Sequence, residues 1–238
     1  MDTTAPPPAV TAANLTVDVV SDVVCPWCYI GKRRLESALA ELRAGEPDLS
    51  VAVRWHPFQL NPDLPAEGMD RRAYLEAKWG SAERAAQNYE RVQQAARASG
   101  LELAVDRIAR QPNTLDAHRL IAWAQSEDPS RASELVERLF QAYFVEGRLV
   151  GDRAELARIA GEAGYDAGAV RAFLDSDRLR EAIAGADVRA RELGIGGVPF
   201  FIFNGRVALS GAHEPGTMLD AIRQARQARA GDEVTAPR

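Results

Sequence analysis

Apolar and polar positions alternate near both ends of the chain and recur at helical spacing between them. Leu15, Val17 and Val19 alternate with Thr16 and Asp18, the period-two pattern of a strand, and the pattern breaks at Ser21-Asp22. From Pro26 to about Arg43 the apolar positions Ile30, Leu35, Ala38, Leu39 and Leu42 follow helical spacing, with Gly45 as a stop. Val51, Val53 and Trp55 alternate again until Pro57. A strand–helix–strand unit of this size predicts two parallel strands.

The middle of the chain reads differently. From about Asp70 to Leu193 the pattern predicts helices and almost no strand. Tyr74, Leu75 and Trp79 fall on one helical face, and Asn113-Thr114 opens a helix carrying Leu115, His118 and Ala122. Asp128-Pro129 predicts an N-cap with proline in the first turn, before a stripe of Leu135/Val136, Leu139/Phe140 and Tyr143/Phe144 that should be core. Asp152 to Glu155 has capping-box spacing and opens a helix that ends at Gly164.

Strands return at the end. Phe200 to Phe203, Asn204-Gly205 and Val207 to Leu209 predict a tight hairpin with a type I′ turn. Thr217 to about Ala230 predicts a last helix with Met218, Leu219 and Ile222 inward and Arg223, Arg226 and Arg229 solvated. The order β-α-β, helical block, β-β-α predicts an α/β protein. Its small sheet comes from residues 15–62 and 194–230, residues 63–193 form an inserted all-helical domain, and 1–14 and 231–238 are flexible tails.

Composition narrows the function classes. The 238 residues are 46% hydrophobic and 26% charged with a net charge of −5, ordinary for a globular protein and unlike a nucleic-acid binder. No run approaches the roughly 18–20 apolar residues of a membrane span. The first residues, with Asp2 and Pro6-Pro7-Pro8, hold neither a basic nor an apolar leader segment, which sets the expectation of a cytoplasmic protein.

In that compartment a close cysteine pair points to redox chemistry rather than a structural staple. The two cysteines of the chain, Cys25 and Cys28, flank Pro26-Trp27 where a strand runs into a helix. A thiol at a helix N-terminus faces unsatisfied N–H groups and the positive end of the macrodipole, which favour the thiolate. Cys28 sits almost one turn further in, where residues three apart have Cβ atoms about 5–6 Å apart, close enough for a disulfide. The pair can therefore cycle, with Cys25 attacking and Cys28 resolving. Pro26 and Trp27 place no charge beside the sulfurs, which leaves the direction of electron flow open. Two plainer readings exist. Half of a zinc site would need two more ligands, and His56, His118 and His213 are not spaced as a pair. A purely structural disulfide would close too small a loop to constrain much of the chain. No metal is expected.

Cys25-Pro26-Trp27-Cys28-Tyr29-Ile30-Gly31-Lys32 together with Gly194-Ile195-Gly196-Gly197-Val198-Pro199-Phe200-Phe201 resembles the DsbA-like thioredoxin-fold oxidoreductases. Trp55 to Pro62, Asn113-Thr114, Ala117 to Leu120, and Ala142-Tyr143-Phe144 with Gly147 resemble the FrnE-type branch, so that the similarity spans about 15–228. The resemblance implies a thioredoxin-like sheet with an inserted helical domain. It also implies a cis Val198-Pro199 bond facing the dithiol, the alternative being a trans proline that merely opens a strand. On it rest the roles of Cys25, Cys28 and Pro199 in catalysis and of Trp27, Val198, Phe58 and Asn113 in holding substrate, with Asn113 first a helix-capping residue. His118 and His56 read as structural rather than as bases.

The expected activity is thiol–disulfide exchange on protein or small-molecule substrates by a monomer or homodimer, without nucleic acid, membrane or cofactor beyond the dithiol; a low-molecular-weight thiol could serve as co-substrate. The superfamily also holds 2-hydroxychromene-2-carboxylate isomerases and kappa-class glutathione transferases. They lack the second cysteine, and they carry a different pattern where this chain reads Ser210-Gly211-Ala212-His213. A glutathione-type isomerase or transferase is thus one alternative, and a redox-linked, chaperone-like binder another.

Overall fold

The computed structural model describes residues 13–228. A four-stranded sheet runs in the order β2-β1-β5-β6. Strand β1 (Leu15–Ser21) pairs in parallel with β2 (Val51–Pro57), from Leu15 opposite Val51 to Ser21 opposite Pro57. Its other edge pairs antiparallel with β5 (Phe200–Phe203), which turns into β6 (Val207–Ser210). The parallel pair is joined by helix α1 (Pro26–Gly45), as the strand–helix–strand pattern requires. The type I′ hairpin is present: Asn204 and Gly205 have φ of 51° and 63°, and glycine takes such a conformation without a Cβ penalty.

Strand β1 buries one face along its whole length and the other only toward its end. Val17 and Val19 join the main core with Tyr29 and Ile30 of α1, whereas Val20, pointing the other way, packs with Phe58, Ala190 and Ile195. Helix α9 (Pro215–Gln227) lies on α1 and β6. Arg226 on its polar face pairs with Glu46 at 2.7 Å; Arg229, Ala230 and most of the expected tails lie outside the described residues.

Seven helices stand between β2 and β5: α2 (Arg71–Trp79), α3 (Ala82–Ala98), α4 (Leu115–Glu127), α5 (Ala132–Phe144), α6 (Arg153–Glu162), α7 (Ala167–Asp175) and α8 (Arg180–Glu192). The α5 stripe is core, and Tyr29 stacks on Phe140 at 4.9 Å, joining α1 to α5. Beside this stack, buried Lys32 reaches Glu137 at 2.6 Å, and Glu137 also accepts from Arg33 and the Tyr29 hydroxyl. Asp152 caps α6 by accepting from the Glu155 N–H.

Two expectations for this segment need correction. Asp128-Pro129 does not cap α5. The Asp128 carboxylate accepts from the Ser130 N–H and hydroxyl, and its carbonyl from the Arg131 N–H, which builds a turn, so that α5 starts at Ala132. A short antiparallel pair, β3 (Met69–Asp70) with β4 (Arg110–Gln111), also stands within the stretch read as helical. Two residues per strand cannot display an alternation, and three of the four are polar. Among the described residues no helix is long and apolar enough to cross a membrane.

Candidate active site

The chain leaves β1 through a turn closed by the Cys25 N–H on the Asp22 carbonyl at 3.0 Å. Cys25 is the N-cap of α1, in extended conformation, and Pro26 takes the first helical turn, where its missing N–H costs nothing. No side chain caps this helix. The Cys28 and Tyr29 N–H groups donate to the Cys25 carbonyl, which leaves the Trp27 N–H at the mouth of the helix next to Cys25.

Both cysteines are free thiols. Cys25 is 5% exposed and Cys28, one turn deeper, 2%. Burial foremost, and then the hydrogen bond and charge of the Cys25 sulfur, push the Cys28 thiol well above its ordinary range; the Asp22 backbone and the Ser21 side chain pull weakly the other way.

The second wall comes from the far end of the chain. The Cys25 thiol lies 3.6 Å from the Val198 carbonyl, and the Val198-Pro199 bond is cis. Gly31 of α1 allows this approach: a Cβ there would stand 2.9 Å from Pro199 Cγ and 3.1 Å from Phe201 Cζ. Cys25, Trp27, Val198 and Leu60 then line a cavity of about 400 Å³ whose opposite side is built by α2 and α3. Trp27, 38% exposed, forms part of its rim.

The structure thus brings Cys25, Cys28, Trp27, Val198 and Pro199 together. It places the other two candidates elsewhere. Phe58 is buried under the Arg191 guanidinium, 4.1 Å from the ring centre, in a cluster with Val20 and Ile195 that backs Leu60 and Val198 and does not itself line the cavity. Asn113 does not cap α4 at the N-cap position itself, which Thr114 holds; its Oδ1 accepts from the Leu115 N–H and its amide donates to the Pro62 and Leu64 carbonyls. It borders a different cavity, with Arg110 and Asp152. His56 pairs with Asp18 at 2.8 Å on the exposed sheet surface, and His213 with the Ser210 carbonyl. Among the described residues no group of three or more His, Cys, Asp or Glu stands together as a metal site.

One polar group beneath the dithiol was not singled out from sequence. Asp22 is fully buried; one carboxylate oxygen accepts from the Leu60 N–H at 2.8 Å and the other faces His118 Nε2 at 3.3 Å. The one local signal for it is Ser21-Asp22 interrupting an apolar run, which by itself marks only the end of the strand. Arg71, Tyr74 and Tyr89 of the cavity's far wall were likewise missed, since only tertiary packing brings them within reach of Cys25.

Residues 16–223 match the model of the DSBA-like thioredoxin domain. The chain belongs to this DsbA-like family. A probable DsbA oxidoreductase from Streptomyces coelicolor superposes with a TM-score of 0.79 at 31% identity, over 93% of this chain and 94% of that one. A 2-hydroxychromene-2-carboxylate isomerase shares the fold at TM-score 0.64 and 18% identity, covering 89% and 97% of the two chains. So does the cytosolic disulfide reductase DsbM from Pseudomonas aeruginosa, solved with GSH, at TM-score 0.58 and 20% identity over 89% and 95%. The family assignment agrees with the motifs around Cys25 and Pro199, and the neighbours with the FrnE-type resemblance.

Proposed function

We propose that this DsbA-like protein is a thiol–disulfide oxidoreductase working through Cys25 and Cys28. The observation that carries the reading is the uncapped start of α1, with Cys25 at its mouth, Cys28 buried one turn behind and the Val198 carbonyl across the cavity. In the reducing direction the Cys25 thiolate attacks a substrate disulfide, forming a mixed disulfide and expelling one substrate thiolate. Cys28 gives up its proton and attacks the Cys25 sulfur; the second substrate thiolate leaves, and the Cys25–Cys28 bridge remains. Two electrons have passed to the substrate, whose two thiolates take up protons. Oxidation of substrate dithiols is the reverse.

In this reading Pro199 positions the substrate by holding the Val198 backbone toward it, Trp27 covers the incoming sulfur, and α2 and α3 of the inserted helical segment wall the cavity opposite Cys25. The dithiol is the redox group. A low-molecular-weight thiol as co-substrate is in keeping with DsbM having been solved with GSH, and a cytoplasmic location with DsbM being a cytosolic reductase.

The test is single-turnover reaction of the pre-reduced protein with insulin and with hydroxyethyl disulfide. The Cys25→Ser variant should lose both reactions, and Cys28→Ser should accumulate mixed disulfides visible by mass spectrometry. Full activity of Cys25→Ser would overturn the proposal, and catalysis with a small thiol that survives Cys28→Ser would replace it with a transferase or isomerase.

A further inference from the structure

The cavity beside Cys25 is lined by three cationic side chains, Arg71, Lys78 and Arg91, and by no carboxylate. That is the reverse of the chain's overall charge of −5. We propose that this wall is a binding site for the carboxylate end of a small anionic thiol or disulfide, a proposal that rests on the redox reading above and names its substrate class.

Arg71 carries the argument. It is 7% exposed, and its two terminal nitrogens donate to neutral groups, the Gln111 amide oxygen and the Tyr89 hydroxyl. Its Nε is buried with no partner. Among the described residues the other buried cations each have an acid at hand: Lys32 has Glu36 and Glu137, Arg34 has Glu214, and Arg119 has Asp116. Arg71 has none within ion-pair distance. Glu76, Glu90 and Asp106 face it across the cleft behind, between α2 and α3, and none comes that close. The rings of Tyr74 and Tyr89, 5.6 and 5.5 Å from its guanidinium carbon, soften the charge without neutralising it. A buried unpaired charge is among the costliest arrangements in a protein unless a ligand completes it.

The neighbouring groups point the same way. Lys78 donates to the Tyr74 hydroxyl at 3.0 Å and also has no acid partner among the described residues. Asn61, whose Oδ1 accepts from that same hydroxyl, holds a second buried and unpartnered donor in its Nδ2. About 400 Å³ suits a small peptide-like molecule. Because Cys25 lines this space and is 5% exposed, a disulfide meets its sulfur inside the cavity. A carboxylate on Arg71 would place the disulfide of such a molecule toward Cys25, by the bidentate geometry guanidinium favours.

The experiment uses the full chain, pre-reduced, in single turnover with glutathione disulfide (anionic), hydroxyethyl disulfide (neutral) and cystamine (cationic). Each rate is divided by that with free dithiothreitol. The normalised rate with glutathione disulfide should exceed that with cystamine at least tenfold. The ratio should fall at least tenfold in Lys78→Glu/Arg91→Glu, whose side chains are exposed and do not endanger folding, and in Arg71→Gln. Arg223→Glu on α9 should leave it unchanged.

A second readout needs no redox step. S-methylglutathione, which cannot exchange, should bind the wild-type protein by titration calorimetry and not the double variant. Rates that ignore substrate charge, or absent binding of S-methylglutathione, would overturn the anion site while leaving the redox reading intact. Binding without formation of the Cys25–Cys28 bridge by any of the three disulfides would support the site and sink the redox reading.

Discussion

At Cys28 the thiol is almost fully enclosed, and the groups beside it are the Cys25 sulfur, the Asp22 backbone and the Ser21 side chain. Burial keeps it protonated well above its ordinary range. Cys25, by contrast, borders open volume. Iodoacetamide at pH 7 should therefore modify Cys25 at least tenfold faster than Cys28, and labelling of Cys28 in the folded protein should stay slow past pH 9; peptide mass spectrometry after a timed quench measures both. Equal rates would contradict the arrangement. Gly31 is the residue that lets α1 come so close to Pro199 and Phe201. Gly31→Ala adds a methyl group against a rigid ring. The overpacking costs about 1–3 kcal/mol, offset in part by a gain of about 1 kcal/mol in helix propensity. The net expectation is an unfolding free energy, read by urea denaturation, unchanged or lowered by up to about 2 kcal/mol, with slower alkylation of Cys25.

At the scale of elements, two joints hold the site's walls. The β5–β6 hairpin is tied to β1 by Asn204, whose Oδ1 accepts from the Thr16 N–H at 2.8 Å while its own N–H donates to the Thr16 carbonyl. Asn204→Ala leaves a non-glycine residue at positive φ and removes that acceptor. Urea denaturation should show a loss of about 1–2 kcal/mol, and Asn204→Gly, which accepts the conformation, a smaller loss. The α1–α5 joint rests on Glu137. Burial acts to raise its carboxyl, but Lys32, Arg33 and the Tyr29 hydroxyl outweigh it and hold the group below the ordinary carboxylate range. Its folded value being depressed, the stabilisation is fully present above the unfolded value of about 4.3 and is lost as pH falls through the folded value. Glu137→Ala would leave buried Lys32 with Glu36 alone and the Tyr29 hydroxyl without its acceptor; it should cost about 2 kcal/mol at pH 7, and the gap between variant and wild type should narrow as pH falls below about 4. A gap that widened in acid would contradict the sign.

At the scale of the molecule, the sheet brings together residues from positions 25 and 198, and the helices between them complete the cavity. Arg119 of α4 anchors much of that helical body. It is fully buried and donates to the Arg178, Leu174, Phe173 and Ser176 carbonyls at and beyond the end of α7, and it pairs with Asp116. Arg119→Met would orphan these acceptors and should destabilise the protein by about 3 kcal/mol in a cooperative thermal unfolding experiment. Nothing in the local pattern around Ala117 to Leu120 distinguishes this arginine from a solvated one, because the carbonyls that bury it lie more than fifty positions away and Asp116 at i−3 would pair equally well on a solvated face. The β3–β4 pair and the turn at Asp128 escaped for a related reason: each is decided by which partner the backbone meets, not by the propensity of a few residues.

By itself the sequence determined the β-α-β and β-β-α ends, the mainly helical character of the stretch between them, the type I′ turn and the dithiol, since periodicity, turn chemistry and cysteine spacing are local properties written within a few residues. Resemblance to a family added the fold and the cis bond at Pro199. Only the tertiary structure decided what surrounds the dithiol. It left Phe58 and Asn113 out of the cavity lining, paired buried Asp22 with His118, and set an arginine lacking an acid in the same cavity wall as Cys25. Burial and charge pairing depend on residues distant along the chain, and no window of sequence contains them.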